Sequence, residues 1–103
     1  MEGTISALLD YRRYAGEVTL MFVDAPDEVS ESLSDLRDAL AGAGARIEKD
    51  GNELAALQNS LICMHDALKA YKEHGFKVPA RLTQIHKQLE QRRDELVPQG
   101  PQL

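Results

Sequence analysis

Apolar residues recur at alternating steps of four and three through almost half of the chain. An average spacing of about 3.5 residues keeps one stripe of side chains on a single side of a helix, where it packs against a partner helix. Only Asp50 interrupts the stripe with a polar side chain. The repeat therefore predicts an all-α fold of antiparallel helical hairpins, or a helical bundle, with coiled-coil heptads. Its positions are Val29, Leu33, Leu36, Leu40, Ala43, Ile47, Asp50, Leu54, Leu57, Leu61, Met64, Leu68 and Tyr71.

Proline and glycine mark the two ends of the repeat. Pro26 precedes it and Gly75 follows it, which predicts a long central helix over about 27–74. Inside this span, glycines cluster between 42 and 52, and each costs about 1 kcal/mol relative to alanine in a helix interior. The unbroken phase of the repeat on both sides favours a continuous helix, hinged at most near 42–52. The alternative is a break near Gly42–Gly44, which would give a compact four-helix bundle.

Two flanking segments carry the same periodicity and predict shorter helical arms. They cover about residues 4–23 and 79–97, and each is about as long as one half of the central helix. Short connections force antiparallel neighbours, so each arm is expected to cover one half of the central helix. We therefore expect a single helical domain over 1–97. Residues 98–103 contain two prolines and no periodicity, which predicts a flexible C-terminal tail.

Composition narrows the class of partner and the compartment. The chain has a net charge of −5, and its first 50 residues hold 11 Asp and Glu against 5 Lys and Arg. An acidic surface is repelled by phosphate backbones, so nucleic-acid binding is disfavoured. The single cysteine excludes an internal disulfide and favours a reducing, cytoplasmic setting. The longest apolar run has four residues, so we expect neither a signal peptide nor a membrane helix.

The reactive residues form no recognisable catalytic or metal motif in the sequence. No two of the histidines at 65, 74 and 86 lie four residues apart on one predicted helix, as a metal-binding pair on a single helix would. Cys63 has apolar neighbours, which indicates a buried thiol rather than a nucleophile. Gly42 and Gly44 supply only part of a phosphate-binding loop. We therefore predict no enzyme activity, and no catalytic, cofactor-binding or metal-binding residue.

Apolar residues outside the main stripe indicate a binding surface for a protein partner. The run that contains Leu20 and Phe22 and a second stripe through Ile62 and Cys63 are its strongest features. A helix that is apolar on two sides needs two neighbours. The second neighbour is another helix of this chain, a second copy of the chain, or a different protein. We predict Leu20, Phe22, Ile62 and Cys63 as the partner-binding residues.

These features favour a non-enzymatic protein-interaction module, meaning a small chaperone, adaptor or inhibitor that occupies a partner's surface. The pattern resembles, in architecture alone, spectrin-like bundles, small secretion chaperones and phage-encoded inhibitors, and a shared fold does not fix function. The first alternative is a structural, homo-oligomeric coiled coil, and self-association is expected in either case. The weakest alternative is a helical DNA-binding regulator that uses the basic residues between Lys77 and Arg93.

Overall fold

The structure is a computed structural model that describes the backbone of residues 2–97 and the side chains of residues 9–49 and 51–97. This part of the chain contains four α-helices and no strand, which confirms the predicted all-α class. The flexible tail expected at 98–103 lies outside the described residues. The helices are α1 (Glu2–Met21), α2 (Asp27–Asp50), α3 (Glu53–Glu73) and α4 (Ala80–Leu96).

The central apolar repeat belongs to two helices joined by a tight turn. Helix α2 ends at Asp50 and helix α3 begins at Glu53, so the favoured prediction of one continuous helix over 27–74 is wrong. The break lies at the C-terminal edge of the segment 42–52. It does not lie at Gly42–Gly44, where α2 is uninterrupted.

Two consecutive residues make this turn. Gly51 has a φ of +69°, a left-handed conformation that costs an L side chain about 1–2 kcal/mol, and its N–H donates to the carbonyl of Ile47 at 2.8 Å. Asn52 then caps α3, because its side-chain oxygen accepts a hydrogen bond from the N–H of Ala55 at 3.1 Å. The local turn chemistry therefore ends one helix and starts the next without a gap.

The apolar repeat faces inward on both sides of the turn. In α2 every position of the repeat from Val29 to Ile47 is buried. In α3 the buried face departs from a strict heptad seam, because Leu54 and Leu68 of the repeat are only half-buried whereas three residues outside the repeat are buried. The packing is thus that of an antiparallel hairpin in a bundle. The buried residues of α3 are Ala56, Leu57, Ser60, Leu61, Met64, Ala67 and Tyr71.

The outer helices cover the two halves of this hairpin as predicted. Helix α1 packs on α2, and helix α4 packs on α3. An ion pair also links α4 to α1, since Arg81 lies 2.7 Å from Glu17. The core residues of the outer helices are Tyr11, Tyr14, Ala15 and Val18 in α1, and Leu82, Ile85 and Leu89 in α4.

Helix α3 ends at the predicted glycine. Gly75 has a φ of +74°, and its N–H donates to the carbonyl of Lys72. The N–H of Phe76 donates to the carbonyl of Tyr71 at 2.8 Å, so the two bonds form a Schellman motif. Because consecutive helices run antiparallel, this connection lies at the same end of the bundle as the connection between α1 and α2 (residues 22–26). We call this end the loop end.

Candidate functional site

The loop end presents an apolar cleft between the two connections. Met21 at the end of α1 and Pro26 line it on one side, and Tyr71 near the end of α3, Phe76 and Pro79 line it on the other. Its volume of about 330 Å³ is at the lower limit for small-molecule pockets, so it suits one or two side chains better than a cofactor.

Two exposed apolar side chains lie where α1 ends, next in the sequence to residues that line this cleft. Leu20 precedes the cleft residue Met21, Val23 precedes the cleft residue Asp24, and the two side chains are 71% and 83% exposed. Single exposed apolar residues are ordinary on protein surfaces, but a group of them beside an apolar cleft is typical of an interaction site. We define Leu20, Val23, Phe76 and the cleft as the loop-end surface.

Acidic side chains lie in the cleft wall and in the first turns of α2, the helix that begins after the cleft residue Pro26. Asp24 lies in the cleft wall, and Asp27, Glu28 and Glu31 are exposed in the first turns of α2. These carboxylates stabilise α2, because negative charge interacts favourably with the positive end of the helix dipole. They also give the loop end a negative field, with Lys77 as the one positive charge among the residues that line the cleft.

The four predicted partner-binding residues occupy two places in the structure. Leu20 is exposed at the loop end, whereas Phe22 is half-buried against the core with the guanidinium of Arg37 5.3 Å from the centre of its ring. Ile62 is 62% exposed and Cys63 is half-buried, and both lie near the middle of α3, about 15 Å along the helix from its C-terminal end. The structure therefore places Leu20 at the loop-end surface and Ile62 away from it.

Cys63 has the environment of a structural thiol. Burial raises its pKa, and the nearby carboxylates of Asp35 and Asp66 raise it further. The thiolate form, which a nucleophile or a metal ligand requires, is therefore disfavoured at neutral pH.

Polar side chains at the opposite end of the bundle, where α2 turns into α3, join α4 to α1 and α3. Glu53 accepts hydrogen bonds from Tyr11 of α1 and from Arg92 of α4. Burial and the neighbouring Glu53 carboxylate raise the pKa of Tyr11 well above its usual value, so its hydroxyl stays protonated and donates. These groups satisfy one another, which indicates a structural role.

The structure also brings together a histidine pair that the sequence analysis missed. His65 of α3 and His86 of α4 have ring centres 5.1 Å apart, with the rings nearly perpendicular. Glu90 lies one turn after His86, and its Oε2 is 3.4 Å from His86 Nε2. One ligand atom from each of the three residues lies within 4.8 Å of the other two. Among the described residues, these three side chains form the group whose ligand atoms are close enough together to bind one metal ion.

A signal for this pair was present in the sequence. A search for two histidines one turn apart on the same helix finds none, but an antiparallel hairpin centred near Gly75 places position 65 opposite position 86. His74 marks the contrast, since it lies at the hairpin turn, is exposed and contacts only Phe76 among the described rings.

The described fold and surfaces define a small all-α bundle of two helical hairpins with an apolar, acid-rimmed loop end. No helix in the described part of the chain is both long enough and apolar enough to cross a membrane. Comparison with known proteins finds no matching family model, no matching curated protein and no matching solved structure. The function is therefore inferred from the residues of this chain.

Proposed function

We propose that this chain is a non-enzymatic protein-interaction module that binds its partner through the loop-end surface. The observation that carries the proposal is that Leu20 and Val23, next in the sequence to residues of an open apolar cleft, are both strongly exposed. Covering a fully exposed Leu or Val stabilises a complex by about 1.5–3 kcal/mol, so two such residues and a cleft can anchor a binding segment. The mode of action is that of a small chaperone, adaptor or inhibitor acting in the cytoplasm.

Charge specifies the chemistry of the partner. Asp24 lies in the wall of the apolar cleft, and the exposed carboxylates at 27, 28 and 31 follow it in the first turns of α2. The complementary ligand is a protein segment with a large apolar side chain flanked by Lys or Arg. Rim charges of this kind mainly accelerate association and are screened by salt, whereas the apolar anchor sets the dissociation rate.

Two alternatives receive less support from the geometry. The seam from Val29 to Ile47 is buried within one chain, so a homo-oligomer must use another surface. Two loop ends facing each other would bring like charges together, which disfavours self-association there. For DNA binding, Arg81 and Arg92 are already paired with Glu17 and Glu53, which reduces the positive charge that α4 offers to a phosphate backbone.

The test compares two leucines on the same helix. Leu20→Ser removes the apolar anchor at the loop end, and Leu9→Ser is the matched control, because Leu9 is 60% exposed on α1 about 16 Å away along the helix axis. Ile62→Ser tests the other exposed position predicted from the sequence. Each purified variant is used as bait in a lysate of the native host, and captured proteins are identified by mass spectrometry.

The supporting result is an identified protein that binds the wild-type chain in purified form. Its Kd should increase about tenfold or more with Leu20→Ser, a loss of about 1.4 kcal/mol of binding free energy. With Leu9→Ser the Kd should remain unchanged. Binding should also weaken as salt increases. Equal binding by the Leu20 and Leu9 variants, or no specific binder of the wild type at low salt, would contradict the proposal.

A further inference from the structure

The facing surfaces of α3 and α4 carry three metal-ligating side chains at a common point. His86 and Glu90 are one helical turn apart on α4, so their side chains project from the same face. His65 approaches from α3, with its ring edge-on to the ring of His86. The site therefore takes ligands from both helices of the second hairpin, and it is separate from the loop-end surface.

One atom in this group lacks a hydrogen-bond partner. His86 Nε2 is shielded from solvent and forms no hydrogen bond, although the Glu90 carboxylate is 3.4 Å away. Buried polar atoms in folded proteins are nearly always paired, and exceptions call for an explanation such as a missing ion. A cation between His86 Nε2 and Glu90 Oε2 would satisfy both atoms.

We propose that His65, His86 and Glu90 form a binding site for a divalent transition metal, with Zn²⁺ as the ion that fits it best. Two imidazoles and one carboxylate are a donor set that zinc accepts, with water in the fourth position. Ligand bonds of about 2.0–2.1 Å in a tetrahedron place neighbouring ligand atoms about 3.3 Å apart. The 3.4 Å separation of His86 Nε2 and Glu90 Oε2 matches this value.

The ligand atom that must move for all three to bind one ion belongs to His65. All three ligand atoms lie within 4.8 Å of one another, so closing the site requires a displacement of about 1.5 Å. His65 is exposed, which leaves its side chain free to rotate about its own bonds. A bound ion would therefore need no movement of the helix backbones.

The charges around the site limit its affinity to a moderate range. Burial lowers the pKa of His86, which keeps the imidazole neutral and its lone pair available at neutral pH. Arg93 and Lys72 are close enough to lower that pKa further, and the same two charges oppose a cation. We expect a Kd in the micromolar range.

A bound ion would hold α4 against α3. Among the described residues, α4 buries only Leu82, Ile85 and Leu89 in the core, fewer than α3. A ligand that binds only the folded state stabilises that state by mass action. Zinc is therefore expected to raise the Tm of the chain.

The experiment is a titration of the full chain, free of any affinity tag, with Zn²⁺ and separately with Mg²⁺. Calorimetry gives stoichiometry and Kd, and histidine-ring NMR spectra identify the ligands. His65→Gln removes an exposed ligand without disturbing the core, and His86→Gln removes the shielded one. His74→Gln is the matched control, because His74 is exposed and lies outside the site.

The expected result is one equivalent of Zn²⁺ with an increase in Tm and no response to Mg²⁺. The ring signals of His65 and His86 should shift while those of His74 do not. His65→Gln should weaken zinc binding on the order of tenfold or more, and His74→Gln should leave it unchanged. Absence of saturable binding, or equal binding by the His65 and His74 variants, would overturn the proposal.

Discussion

The carboxylate of Glu53, the first residue of α3, accepts two hydrogen bonds from the guanidinium of Arg92 on α4, at 2.6 and 2.7 Å. The hydroxyl of Tyr11 on α1 donates a third bond to the same carboxylate at 3.0 Å. The hydrogen bonds to Glu53 raise the pKa of Arg92, because they stabilise the charged guanidinium. One acidic side chain thus connects three helices, at the end of the bundle where α2 turns into α3.

Replacement of Glu53 by alanine should destabilise the fold. The side chain is only 12% exposed, and its removal leaves the Tyr11 hydroxyl without its acceptor and Arg92 with its hydrogen bond to Glu95 alone. We expect the free energy of unfolding to fall by about 2 kcal/mol, measured by urea denaturation.

A second ion pair provides the control for this measurement. Glu48 pairs with Arg12 at 3.7 Å, and both side chains are more than 60% exposed. Exposed pairs contribute about 0–1 kcal/mol, so Glu48→Ala should change stability by less than about 0.5 kcal/mol. Equal effects of the two substitutions would show that the Glu53 contacts do not join the helices as described.

Gly42 inside α2 and Gly51 just after its end should respond to alanine with opposite signs. Gly51→Ala forces a methyl group into a left-handed residue and should cost about 1 kcal/mol. Gly42 is exposed inside the helix, and a Cβ there contacts nothing within 4 Å, so Gly42→Ala should stabilise the chain by about 0.4–1 kcal/mol. Thermal unfolding of both variants tests the position of the turn. A stabilising Gly51→Ala would indicate a helix that continues through residue 51.

The same turn explains which part of the fold the sequence could predict. Helix type, the arms and the glycine stop at Gly75 follow from periodicity and local residue chemistry. The phase of the repeat also continues across Gly51 and Asn52, and this continuity favoured one long helix. An antiparallel hairpin needs an apolar stripe on both of its helices as well, so the stripe alone does not distinguish the two folds. Asp-Gly-Asn at 50–52 was the better indicator, because it supplies a left-handed residue and then an N-cap.

The candidate sites depend on contacts between helices, which periodicity does not specify. His65 and His86 meet only because α3 and α4 form a hairpin. The exposure of Leu20 and the burial of Phe22 depend on where α1 ends, since the helix stops at Met21 and the chain then turns toward α2. A one-residue change in that end point rotates the next side chain by about 100° on a helix.

Polar substitutions at Leu20 and Phe22 should therefore separate binding from stability. Leu20 is 71% exposed, so Leu20→Ser should change the free energy of unfolding by less than about 0.5 kcal/mol. Phe22 packs against the core and beneath Arg37, so Phe22→Ser should cost about 1–2 kcal/mol. Chemical denaturation measures both. A large loss of stability in Leu20→Ser would mean that this side chain supports the fold, and its exposure would then not identify a binding surface.

Acidification should destabilise the chain through His86. Burial lowers the pKa of this histidine in the folded state, and Arg93, Lys72 and His65 lower it further while Glu90 opposes them. The unfolded chain, with a histidine pKa of about 6.5, therefore binds a proton more readily than the folded chain does. The resulting stability is present above pH of about 6.5 and is lost as the pH falls below that value toward the lower folded-state pKa.

The pH dependence of unfolding, measured in the presence of a chelator, tests this assignment to His86. The free energy of unfolding of the wild type should decrease between about pH 7.5 and pH 5, and His86→Gln should show a shallower decrease whatever its absolute stability. With Zn²⁺ in place of the chelator, the wild-type slope should become steeper, since protons then compete with the ion for the same imidazoles. Identical slopes for the wild type and His86→Gln in chelator would assign the acid sensitivity to other groups, and an unchanged wild-type slope with zinc would argue separately against the metal site.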